Sequence, residues 1–203
     1  RKTISVGGLS VSVDGRDNRF DPTKGYFLFA SGDLAGGPFG ADRDFYRLQT
    51  GASAYLPHGD RLVFESRFRV GFVDAYGDSE EVPIFERFYG GGSGTIRGFR
   101  ERRVGPRDPN SNDPIGGEST FVGTVEEVAT IIKDERERPI IKGTVFLDVG
   151  NVWRRVSEFG ESFRAGAGMG ARVNTPIGPL RLDLGIPVSD LEEGEDRKPR
   201  FHF

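Results

Sequence analysis

The chain has 203 residues, 35% of them hydrophobic, with a formal net charge of −3 and no cysteine. The near-neutral balance gives no reason to expect nucleic acid as a partner. Mean hydropathy of −0.44 argues against a helical membrane protein, and no apolar run reaches the roughly eighteen residues that a transmembrane helix needs. The lack of cysteine suits an envelope protein or a reducing cytosol alike. Glycine, at 30 of 203 residues, stands at about twice its usual share of roughly 7%. No leader segment opens at Arg1, so the chain is expected to be a mature piece of something longer.

Period-two alternation predicts nine strands and no helix. The strands lie near 2–14, 25–35, 44–56, 61–76, 118–132, 140–153, 161–174, 179–187 and 199–203. In the first, Ile4 and Val6 are out of phase with Leu9, Val11 and Val13, which predicts a β-bulge at Gly7-Gly8. In the fourth, Leu62, Phe64, Ser66, Phe68, Val70 and Phe72 alternate with Val63, Glu65, Arg67, Arg69 and Gly71. In the sixth, Ile141, Val145, Leu147 and Val149 alternate with Lys142, Thr144, Phe146 and Asp148. The seventh sets Phe163, Ala167, Met169 and Val173 against Arg164, Gly166, Gly168, Gly170 and Arg172. The eighth sets Leu180, Leu182, Leu184 and Ile186 against Arg181, Asp183 and Gly185. Proline, glycine and aspartate mark turns at 21–25, 56–60 and 174–179. If Phe203 ends on the periplasmic side, those turns are periplasmic and the longer connections, 77–117 among them, open outward.

Two solvents fit such a pattern. In a soluble sandwich the apolar face is the core, whereas in an outer-membrane barrel it meets lipid and the charged face lines the lumen. Strand length favours the barrel: several run about ten or more residues, near a tilted bilayer crossing, while globular strands average about five or six. Arginine, aspartate and glycine share the polar face, as a lumen of paired charges requires. A membrane sheet must close, since open edges leave backbone groups unsatisfied in lipid, and bacterial single-chain barrels usually have an even strand count. Nine strands, with Arg200-Phe201-His202-Phe203 stopping in mid-pattern, therefore predict the C-terminal part of a larger barrel, or a piece that closes against another copy. A soluble β-barrel or sandwich that binds a ligand or partner is the alternative.

The 77–117 connection contains Phe88-Tyr89-Gly90-Gly91-Gly92-Ser93-Gly94-Thr95-Ile96-Arg97-Gly98-Phe99. Glycine permits positive φ and close approach to a wall, and arginine brings a planar five-donor fork suited to a buried carboxylate. The expectation is a plug folded back into the barrel and pinned there by Arg97. Glycine content alone would favour a flexible surface loop. Other chemistries find little support. Gly92-x-Gly94 lacks the lysine of a phosphate loop and the third glycine of a dinucleotide fingerprint. Asp108-Pro109-Asn110-Ser111-Asn112 has calcium-loop spacing, but Asp113 replaces the needed glycine and Ser119 the closing glutamate. With His58 and His202 as the only histidines, neither a histidine metal site nor a serine triad is expected, and no enzyme activity, metal or cofactor is assigned.

Phe85-Glu86-Arg87-Phe88-Tyr89-Gly90-Gly91-Gly92-Ser93, Ile96-Arg97-Gly98-Phe99 and Val104-Gly105-Pro106-Arg107-Asp108 resemble the BamA-type bacterial surface antigen family of outer-membrane barrel-assembly and translocation proteins. The resemblance extends through Gly116-Gly117, Phe146-Leu147-Asp148-Val149-Gly150-Asn151-Val152-Trp153 and Asn174-Thr175-Pro176-Ile177-Gly178-Pro179-Leu180-Arg181-Leu182-Asp183. It also takes in the turn residues Asp14-Gly15-Arg16-Asp17-Asn18 and Pro22-Thr23-Lys24-Gly25, so that it covers nearly the whole chain. It implies a sixteen-stranded barrel preceded by periplasmic domains, of which this chain, 1–203, would supply the last nine strands and none of those domains. It implies a non-enzymatic protein of the bacterial outer membrane, with membrane lipid, unfolded outer-membrane clients, the parent's periplasmic domains and accessory subunits as partners. Carried over by motif, Gly91, Gly92, Ile96, Arg97, Gly98 and Phe99 form the plug-loop motif. Glu126 and Asp148 would be the inner-wall partners of Arg97, while Phe201 and Phe203 would form a C-terminal seam that opens sideways to template a client strand. Strand parity independently puts Asp148 on a polar face and Glu126 in phase with Thr120 and Thr124. Glu127 departs from the family pattern: either it sits near the membrane interface or the alternation breaks there.

Overall fold

The computed structural model describes residues 4–40, 42–175, 178–189, 191 and 196–203, without the side chain of Pro38. Residues 2–3 of the first predicted strand and 176–177 of the last predicted turn lie outside this set. Nine strands form one antiparallel sheet in sequence order: β1 (Val6–Asp14), β2 (Gly25–Ala35), β3 (Phe45–His58), β4 (Leu62–Ala75), β5 (Ser119–Lys133), β6 (Pro139–Trp153), β7 (Arg164–Thr175), β8 (Gly178–Pro187) and β9 (Arg200–His202). β1 and β9 are its edges, and the sheet does not close on itself among the described residues. The only helical segments described are three short 3-10 turns, at 37–39, 84–86 and 156–158.

β3 and β4 have 14 residues each, and β5 and β6 have 15. At about 3.3 Å per residue these strands can cross a hydrocarbon layer of roughly 30 Å at a tilt. The register then decides which side chains share a face. On β5, β6 and β8 the inward positions hold Thr120, Thr124, Glu126, Lys142, Thr144, Asp148 and Asp183, all buried. The outward positions of β4 to β8 hold exposed Phe68, Val125, Val145, Leu180 and Leu182, and Met169 is 63% exposed. A water-soluble sandwich partitions its residues the other way. Here the interior is polar and the exterior apolar, as the bilayer demands. At the long-loop end, Phe72, Phe121 and Phe163 gather around Trp153 and Phe159, with ring centroids 4.8–5.9 Å apart. Aromatic girdles of this kind flank the apolar band of membrane barrels.

Several boundaries differ from those predicted. β1 pairs with β2 in unbroken register from Val6 to Asp14, so the bulge expected at Gly7-Gly8 is absent. The apparent phase shift has another cause: Ile4 packs against an apolar cluster of Ala35, Phe45, Val73 and Val82, which makes one end of the inner face hydrophobic. Irregular pairing occurs instead between β5 and β6, at Thr130, Ile132 and Lys133. β3 runs on through Pro57 and His58, which pair with Val63 and Leu62. The alternation is regular through Glu127, and on the outer face His58 Nε2 lies 3.2 Å from its carboxylate, beside the β3–β4 turn.

The β1–β2 turn owes its shape to Asp17. This carboxylate accepts hydrogen bonds from the amides of Asn18, Thr23 and Lys24 and from the Thr23 hydroxyl. Burial pushes its pKa up, but these bonds, led by Thr23, outweigh that and hold it at about 2. From the same turn Asp21 reaches across to Lys142 of β6 and, at 2.8 Å, to Asn174 of β7. The turn therefore bridges two well-separated stretches of the wall.

An arginine at an outward mid-strand position has no polar partner in lipid and costs about 2–4 kcal/mol. Val145→Arg is expected to lower the unfolding free energy by that amount, measured by urea titration in lipid vesicles.

Candidate functional site

The connection between β4 and β5 is ordered by three isolated bridges, Phe88↔Gly117, Gly90↔Val104 and Arg107↔Pro114. Within the second, from Gly90 to Val104, the chain doubles back and lays Arg97 on the inner wall. Gly91 and Gly92 both have φ of 94°, and the Gly92 amide donates to the Ile96 carbonyl at 3.2 Å. Ile96 and Phe99, on either side of the Arg97-Gly98 pair, are buried with Val104, and Leu191 packs beside them. The motif thus plants an apolar foot on each side of its charge.

Arg97 is 2% exposed. Its Nε and Nη2 each donate to Asp148 at 2.7 Å, one to each carboxylate oxygen, and its backbone N–H reaches the same residue at 3.0 Å. Nη1 donates to Asp183 of β8 at 2.9 Å. Cζ stands 3.3 Å from the ring centroid of Phe146, so one face of the guanidinium rests on π density. The Thr124 hydroxyl adds a 2.9 Å hydrogen bond to Asp148. Asp148 thereby receives four donors, which is what a buried carboxylate requires.

Around this pair the charges balance. Glu126 is 3.6 Å from Arg97, but closer to Arg172 at 2.6 Å and Arg67 at 3.2 Å. Arg172 also meets Glu65 at 3.1 Å, and Arg181 meets Asp183 at 2.5 Å. Four acids face four guanidinium groups. The tighter second partner of Arg97 is Asp183, which sequence reasoning placed on a polar face without assigning it to this arginine. Glu126 stands at the hub of the network and only at the rim of the Arg97 contact.

The wall is shaped to receive the loop's backbone. A Cβ on Gly166 of β7 would fall on the Arg97 carbonyl oxygen, and one on Gly185 of β8 would sit 2.7 Å from the Gly98 nitrogen. Gly98, with φ of 94°, would drive a Cβ to 2.5 Å from the Ile186 carbonyl carbon. The loop lies flush against the sheet because each of these positions lacks a side chain. Of the predicted seam residues, Phe201 points outward opposite Leu184 in β9, and Phe203 follows the strand, 88% exposed. In the stretch with calcium-loop spacing, Asp108 accepts backbone hydrogen bonds from Ser111 and Asn110, which lower its pKa. No group of metal-ligating side chains occurs among the described residues.

Long antiparallel strands with an apolar exterior and a charge-paired interior define the outer-membrane β-barrel class. The chain belongs to the Omp85 superfamily, whose domain model matches residues 2–203. It is 32% identical over 201 residues to the outer membrane protein assembly factor BamA of Nitratidesulfovibrio vulgaris, covering 98% of this chain and 25% of that protein. A SAM50-like protein of Schizosaccharomyces pombe is 26% identical, across 91% of this chain and 40% of its own length. The crystal structure of BamA from Haemophilus ducreyi lacking POTRA domains 1–3 superposes with a TM-score of 0.80. That match covers 96% of this chain and 41% of the other at 24% identity, a likeness of fold. The chain thus spans about a quarter of the length of the BamA relatives it matches.

Removing one member of a buried ion pair leaves the other uncompensated, at a cost of about 3–5 kcal/mol. Asp148→Ala is expected to destabilise the protein by that amount. In a double-mutant cycle with Arg97→Ala, the pair of substitutions should cost less than the sum of the singles; vesicle unfolding measures both.

Proposed function

We propose that this chain is the C-terminal barrel portion of an outer-membrane machine that assembles, inserts or translocates other proteins, with residues 77–117 acting as a lumen plug. The BamA relatives in the family are outer-membrane assembly factors, which supports an insertase rather than an enzyme. The observation that carries the plug reading is the Arg97 clasp: one guanidinium, shut off from water, holding a long loop to β6 and β8 at once. A bidentate arginine–carboxylate pair is directional as well as strong, so it fixes the loop's place and not merely its proximity.

The working edge in this reading is the C-terminal seam at Phe201 and Phe203. β9 pairs with β8 only at Asp183–Gly185. A weakly held terminal strand can yield its place to an incoming strand, whose main chain then pairs by β-augmentation. The relatives named as assembly factors support the assignment of unfolded outer-membrane proteins as clients. Membrane lipid, the parent's periplasmic domains and accessory subunits would be the other partners. Closure would come from further strands of the parent or from a second copy.

The test is reconstitution in lipid vesicles with an unfolded barrel client, read as client protease protection and heat-modifiable gel mobility. The chain is expected to accelerate client folding over empty vesicles. Arg97→Ala is expected to expose residues 88–110 to protease and to slow client folding by roughly tenfold, the effect of about 1.4 kcal/mol on a barrier. Unchanged protease sensitivity at 88–110 would overturn the pinned plug.

A further inference from the structure

We propose that His202 and Arg200 of β9 grip the backbone of Gly98 in the plug loop, so that the last strand and the plug dock and leave together. The proposal rests on the plug reading above and adds what the plug is joined to besides the wall. The Gly98 N–H donates to His202 Nε2 at 2.9 Å, and the Gly98 carbonyl accepts from Arg200 Nη1 at 2.7 Å. Both backbone polar groups of one buried residue are therefore satisfied by side chains from a single three-residue strand.

Each partner is placed by the alternation of β9. Arg200 and His202 share the inward face, while Phe201 points outward. Arg200 also donates to the carbonyls of Asp196 and Lys198, each at 3.2 Å, and to the Asp196 carboxylate. It thus gathers the approach to β9 and the loop's Gly98 on one guanidinium. His202 accepts through Nε2, so its ring proton sits on Nδ1 and the ring is neutral in this arrangement. Arg97 and Glu101 of the loop, Asp148 of β6 and Asp183 of β8 act on it electrostatically.

The energetics favour joint movement. β9 has a short ladder on β8, so two side-chain hydrogen bonds are a large share of what holds it. If β9 departs, the Gly98 N–H becomes a buried donor without an acceptor, a costly state. If the loop departs, His202 and Arg200 lose their inward partner. Such coupling is reciprocal by thermodynamic necessity.

Hydrogen exchange of the protein in lipid vesicles, read by mass spectrometry, tests this in both directions. His202→Leu is expected to speed exchange at residues 96–99 by about three- to tenfold, the worth of one net hydrogen bond. His202→Gln, which keeps an acceptor, should restore most of the protection. Arg97→Ala, which frees the loop from the wall, should speed exchange at residues 200–203. Unchanged exchange at 96–99 in His202→Leu, or no recovery in His202→Gln, would overturn the grip. So would an Arg97→Ala protein in which the loop loosens and 200–203 does not, which leaves the plug standing without the coupling. If Arg97→Ala loosens neither segment, the plug reading falls, and the coupling with it.

Discussion

A guanidinium removed from water must find its counter-charge within a few ångströms, and the position of Arg97 organises much of this molecule around that need. Asp148 takes two of its donors and Asp183 a third, while Phe146 covers one face of the plane. Each contact uses a property that lysine lacks: a flat fork, donors diverging in fixed directions, and a face that stacks. Asp148 comes from β6 and Asp183 from β8, two strands apart in the sheet. The clasp can form only when the wall between them has its correct register, so the loop also reports on the sheet that holds it.

The second constraint is the inverted partition of residues. In a protein surrounded by water, eight charges packed together would be poor use of an interior. In a barrel wall the apolar side chains are committed to lipid, and the lumen is where charges can gather. Buried ion pairs often contribute little net stability compared with well-packed hydrophobic residues, but losing one partner is costly because it strands the other charge. The glycines at 166 and 185 complete the arrangement by letting a polar backbone lie against a polar wall.

How much of this was legible in the sequence depended on range. Period-two alternation is local, and it placed the nine strands to within a few residues, as at β4 and β6, where phenylalanine, valine and leucine mark the outer face. It failed at β1 because Ile4 serves an apolar cluster at one end of the inner face, which parity alone reads as a slip. Parity put Asp148, Glu126 and Asp183 on the polar side, yet their distances to Arg97 depend on cross-strand register and on where the loop lands. Nothing in a one-dimensional reading separates the 2.9 Å contact of Asp183 from the 3.6 Å contact of Glu126. As a residue type, His202 suggests only a metal ligand or a catalytic base. Its partner is a glycine amide 104 positions away, and a backbone donor leaves no trace in sequence.

The nine strands join nearest neighbours, so their pairing involves mostly contacts close in sequence. The glycine-rich connection obeys a different clock. Arg97 precedes Asp148 and Asp183 by 51 and 86 residues, and Gly98 precedes His202 by 104, and closing such spans waits on everything between them. A folding chain therefore gives its central cation a mate only after the strands between them are in place. Seating it is a late event, timed by the arrival of the final strands and not by the loop itself.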